Sequence, residues 1–131
     1  MLLPATTLSA IILGILLVVL SIRVILVRRA TSASLGDGGD VTLGRRIRGQ
    51  ANLAEYAPIG LILILVAELQ GIHPYLLEPV ATIFVIGRLM HAIAFGFTDS
   101  WVIGRVGGTV LTFVGLVLLI ILLLISGISI I

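Results

Sequence analysis

The stretch Arg45-Arg-Ile-Arg48-Gly-Gln50-Ala-Asn52-Leu-Ala-Glu55-Tyr56-Ala-Pro58 gathers three arginines, two amides and a carboxylate at the start of an otherwise apolar run. At about 100° per residue, Arg45, Arg48, Asn52 and Glu55 fall within an arc of about 80° on one helix face, with Tyr56 at its edge. A charge at the centre of a membrane helix costs about 2.5–3.5 kcal/mol on insertion scales, so such a stripe must face protein or a wet pocket and marks a functional site. Guanidinium donors suit carboxylates and other anions in bidentate geometry. The chemistry this face points to is anion binding.

Other polar groups meet the stripe once the runs are laid side by side at about 1.5 Å per residue. Arg48, Asn52 and Glu55 lie about 6, 12 and 16 Å from their end of the second run, and Arg105 about 7 Å along the fourth. On the third run, travelling the other way, His91 lies about 10 Å and Arg88 about 15 Å in. Depth therefore pairs Glu55 with Arg88 and Asn52 with His91. A buried charge needs a partner, so a Glu55–Arg88 ion pair joining two spans is expected. Arg45, Arg48 and Arg105 then exceed the carboxylates available, and this surplus implies an anionic ligand. Arg23 has no polar neighbour on its own face and reads as a snorkelling side chain. Glu68 and Glu78 are expected to be solvated, His73 has no partner suggested by sequence, and Phe84, Phe95 and Phe97 read as packing residues. Neither histidine has a neighbour at metal-ligand spacing, so no metal site is expected and His91 reads as a hydrogen-bonding residue.

The elements that position these groups follow from composition. Of 131 residues, 60% are hydrophobic and 11% charged, with mean hydropathy +1.32. A soluble domain of this size cannot hide that much apolar surface. Four runs are long enough to span a bilayer with some tilt: Leu2 to Val27, Ile47 to Leu69, Tyr75 to Phe97, and about Trp101 to Ile131. The expectation is an all-α membrane protein, one four-span domain over residues 1–131. The first run lacks a basic leader and is too long for the core of a cleavable signal peptide. All eight basic residues are arginine, at 23, 28, 29, 45, 46, 48, 88 and 105. Their placement puts the first and third loops in the cytoplasm and both termini outside. The net charge of +2 is too small to argue for nucleic acid. Without cysteine, disulfides, thiolate catalysis and Cys-ligated metals are excluded.

The segment Arg28 to Gly44 is rich in Gly, Ser and Asp and reads as a loop. Asp37 and Asp40 match no EF-hand register and read as a solvated turn. Pro58 removes a backbone hydrogen bond to Ala54 and predicts a kink after the stripe. Tyr75 and Trp101 stand as interfacial anchors at opposite ends of the third span. Gly104, Gly107, Gly108 and Gly115 give the fourth span a small-residue face that permits close packing.

Arg48-x-Gln50-x-Asn52-x-x-Glu55-Tyr56-x-Pro58, preceded by Arg45, resembles the second-helix signature of the membrane-associated proteins in eicosanoid and glutathione metabolism. Gly87-Arg88-Leu-Met-His91, with Phe95 and then Arg105, is similar to the third- and fourth-helix pattern of prokaryotic members. The resemblance covers essentially the whole chain. It implies a homotrimer of four-helix subunits in a bacterial inner membrane, with glutathione as co-substrate between subunits near the cytoplasmic side. By that resemblance Arg48, Asn52, Glu55 and Tyr56 hold glutathione, with Gln50 near it. Arg88 and His91 line the same pocket, and Arg105 stabilises the thiolate. His91 and Phe95 stand where some eicosanoid synthases carry tyrosines, and Val106 where prostaglandin-type members place a serine. These departures argue against an eicosanoid specialist. The implied function is a detoxifying glutathione transferase or peroxidase acting on lipophilic electrophiles or hydroperoxides that enter from membrane lipid. The alternative is a non-catalytic lipid- or small-molecule-binding protein, or a small transporter. Small multidrug exporters depend on a carboxylate in the first span, where this chain carries only Arg23.

Overall fold

The computed structural model describes residues 2–128 as four α-helices: α1 Pro4–Ala30, α2 Val41–Leu69, α3 Pro74–Gly96 and α4 Val102–Ile128. All four are long and apolar enough to cross a membrane. The expected end of the fourth span at Ile131 lies outside the described residues. Each helix start has a local cause. Pro4 and Pro74 open α1 and α3, where a missing N–H is harmless. The Ala5 and Thr6 amides of α1 donate to the two carboxylate oxygens of Glu68 at 2.8 and 2.9 Å. Glu68 is therefore not a solvated residue but the cap of α1, supplied by the end of α2.

The second helix begins at Val41, before the expected Ile47, because the Asp40 carboxylate accepts the Leu43 amide at 2.6 Å. The arginines thus sit inside α2 as the stripe requires, and the loop, expected to run to Gly44, ends before Val41. That loop is short and ordered: Arg28 donates to the Gly36 carbonyl at 2.8 Å, and Gly36, Gly38 and Gly39 turn the chain with positive φ. At the far end, α2 runs past Pro58 as one helix to Leu69.

The third helix is the centre of the bundle and touches the other three. Phe84 is fully buried between Gly60 of α2 and Gly115 of α4, where no side chain fits. Along the α3–α4 seam a Cβ on Gly87 would stand 2.6 Å from the Thr112 amide nitrogen, and one on Gly108 2.6 Å from the His91 amide nitrogen. The two backbones meet because these positions have no side chain. Gly104, by contrast, lies beneath the Trp101 indole. Leu13, Leu20, Leu53, Ile64 and Leu119 fill the remaining core, while Ile11, Ile15, Val18, Val110 and Val117 face outward.

Candidate functional site

Three guanidiniums converge on the C-terminal end of α3. Arg45 donates to the carbonyls of Ala94 and Thr98, both at 3.2 Å. Arg46 donates to those of Phe95 at 2.6 Å and Thr98 at 3.3 Å, and pairs with Asp99 at 3.5 Å. Arg23 reaches the Gly96 carbonyl at 3.3 Å from α1. The last carbonyls of a helix lack partners within it and carry the negative end of its dipole, so cations are favoured there. Aromatic faces complete the clamp, with Arg23 over Phe97 and Arg45 over Phe95. Arg23 is therefore tied into the bundle rather than snorkelling, and Phe95 and Phe97 do more than pack. Arg45 is no free surplus charge, since its Nη2 serves α3, while its buried Nε has no acceptor.

Arg46 is 5% exposed and is the residue the sequence reading missed as a structural group. Its signal was present: it falls in line with Gly49, Leu53, Ala57 and Gly60, the small and apolar residues that form the buried face of α2.

Deeper in the bundle, Arg88 is 2% exposed and links three helices. Its Nε donates to Thr112 Oγ1 at 2.8 Å and its Nη1 to Asn52 Oδ1 at 2.7 Å. The same guanidinium lies 5.1 Å from the centroid of Tyr56, whose ring meets Phe113 edge-on at 5.8 Å. The expected Glu55–Arg88 pair does not form. Glu55 is exposed on the outer side of α2 with Ala54, Pro58 and Ile59, and has no partner among the described residues. Depth was matched correctly, but rotation about the helix axis turns Glu55 away and brings Asn52 to Arg88. The depth match of Asn52 with His91 likewise gives no hydrogen bond. Thr112, whose hydroxyl donates to the Gly108 carbonyl at 2.7 Å, went unread because a threonine in an apolar span gives no sign of its partner.

His91 is 6% exposed and stacks on Phe95, ring centroids 4.7 Å apart. Arg48 and Arg105 are exposed, and neither guanidinium has a partner among the described residues. Gln50 is half-buried and equally without one. A cavity of about 230 Å³ opens beside Arg105, walled by Arg45, Asp99, Ser100 and Trp101. Asn52, Tyr56 and Arg88 thus form one joined cluster. His91 stacks on Phe95 apart from that cluster, and Glu55 is exposed away from it. Arg48 and Arg105, exposed and without a partner among the described residues, are the cations open to an anion at this end.

Over 90 residues, 69% of each chain, the sequence is 32% identical to the "Inner membrane protein YecN" of Escherichia coli, found alike in two strains. No solved structure matches at a significant level. The MAPEG family model matches residues 6–125, which takes in all the site residues above. With four membrane-length helices carrying that match, this multi-pass membrane protein belongs to the MAPEG family.

Proposed function

We propose that the protein is a membrane-bound glutathione transferase with glutathione peroxidase capacity. The observation that carries this reading is the pair of exposed, unpartnered guanidiniums towards the arginine-rich end of the bundle, Arg48 on α2 and Arg105 beside the cleft. Glutathione brings two carboxylates and a thiol to that end. Arg48 takes a carboxylate with the help of Gln50, and the Asn52–Arg88–Tyr56 cluster forms the floor. Arg105 stands by the sulfur and favours the thiolate, the form that acts as nucleophile. The sulfur then bonds to an electrophilic carbon of a lipophilic substrate arriving from the bilayer, and the leaving group departs with its electron pair.

Arg48 and Glu55 are exposed on a membrane-length helix, where lipid is a costly neighbour for charge. A homotrimer resolves this by placing both in a cleft between subunits, so that each site is completed by a second copy. The arginine-rich end faces the cytoplasm under the positive-inside rule, with both termini outside. The relative's name supports placement in a bacterial inner membrane.

Thermal unfolding of the purified protein with added glutathione tests the binding site. At about one hundred times Kd, a ligand that binds only the folded state stabilises it by about 2.7 kcal/mol. A rise in the unfolding midpoint that Arg48→Leu largely removes is the expected result. No rise at saturating glutathione, with no heat of binding by calorimetry, refutes the site.

A further inference from the structure

At the end of the bundle away from the arginine clamp, α1 and α3 lie side by side over a cavity of about 380 Å³. Small-molecule sites occupy about 300–1,000 Å³. Both helices begin at this end, so depth along both walls rises with residue number. At about 1.5 Å per residue, Glu78 lies about 6 Å in, Ser9 about 8 Å and Leu89 about 22 Å. The lining is therefore graded: Glu78, Ser9 and Thr82 towards the mouth, then Ile12, Val85 and Leu89 beneath.

Two polar groups in that lining have no partner among the described residues. The Glu78 carboxylate, exposed at the mouth, has neither a hydrogen-bond donor nor a cation beside it. The other carboxylate at this end, Glu68, is held by the α1 amides, and all the arginines lie elsewhere. Ser9 is 4% exposed and borders the cavity, yet its hydroxyl makes no hydrogen bond. The Thr82 hydroxyl already donates to the Glu78 carbonyl at 2.7 Å.

We infer that this slot is a binding site for a monocationic amphiphile, an ammonium head on a single apolar chain. Glu78 takes the head, the Ser9 oxygen accepts a second ammonium hydrogen, and the chain runs down past Ile12 and Val85 to Leu89. The Ser9 hydroxyl opens on the slot, so a head group with a hydrogen to donate gains a bond that the apolar lining does not offer. A primary ammonium satisfies both groups at once. An anionic or phosphate-bearing head meets an uncompensated carboxylate and no cationic side chain. The inference stands apart from the glutathione site, which lies at the opposite end.

Dodecylamine, dodecyl maltoside and dodecyl sulfate share one chain and differ in head charge. With the protein in phosphatidylcholine nanodiscs, native mass spectrometry of each ligand titration reads the relative affinities. For a partly exposed ion pair, the amine should bind about fivefold tighter than the maltoside, with the sulfate weakest. Glu78→Gln, at an exposed position, should bring the amine down to the level of the maltoside while leaving the unfolding midpoint in place. Equal binding of amine and maltoside by the wild-type protein overturns the inference, and so does a preference for the amine that survives in Glu78→Gln.

Discussion

A guanidinium buried at Arg88 is tolerated because acceptors on two neighbouring helices meet it, Asn52 on α2 and Thr112 on α4. Hydrogen bonds to charged groups contribute about 1.5–3 kcal/mol, and removing one partner leaves the other unsatisfied. A double-mutant cycle of Arg88→Met with Asn52→Leu, read by unfolding in detergent, should show coupling of about 1–3 kcal/mol. The cycle of Arg88→Met with Glu55→Gln should be additive within about 0.5 kcal/mol. The opposite pattern would restore Glu55 as the partner. In the proposed reading Arg105 acts on the thiol rather than in packing: Arg105→Leu should then slow turnover strongly while glutathione binding persists, the mark of an interaction made in the transition state. At this scale the sequence singled out the polar stripe of the second span but not which of its residues touch others, and it passed over Arg46 and Thr112. Spacing along an axis is readable from residue numbers, whereas Glu55 and Asn52 are separated by rotation, which only the packed neighbours determine.

Helices meet here through what they lack. Gly87 and Gly108 bring two backbones together, so Gly108→Ala must push α4 from α3 and should cost about 1–3 kcal/mol. Gly107→Ala has only the Met90 methyl at 3.3 Å to displace, and should leave stability unchanged or raise it by up to about 1 kcal/mol through helix propensity. Unfolding midpoints of the two variants check the contrast, and equal effects would remove the seam as the cause. Four spans and the close-packing role of glycine were legible because apolar length and small-residue spacing are local properties. The early start of α2 was not, since the loop's composition reads on to Gly44 and the cap by Asp40 is what begins the helix at Val41. Nor was the capping of α1 by Glu68, a contact across 62 and 63 residues of chain.

The exterior is largely apolar, and Arg48, Glu55 and Arg105 are among the charges exposed on it. In the proposed trimer these three lie in clefts between subunits rather than against lipid. Native mass spectrometry from mild detergent should therefore show three copies, and monomer alone would speak against shared clefts. The family was legible from the second-helix motif, since polar residues at fixed spacing stand out in an apolar span. A substrate was not, because apolar residues that would receive a lipophilic partner read the same as core. Glutathione-dependent conjugation tests the functional reading most directly: purified protein in nanodiscs, a generic aryl halide, and glutathione varied from none to saturation. The expected result is thioether formation well above the rate with empty nanodiscs, saturable in glutathione and strongly reduced by Arg105→Leu. A rate equal to that of empty nanodiscs at every glutathione concentration would contradict it.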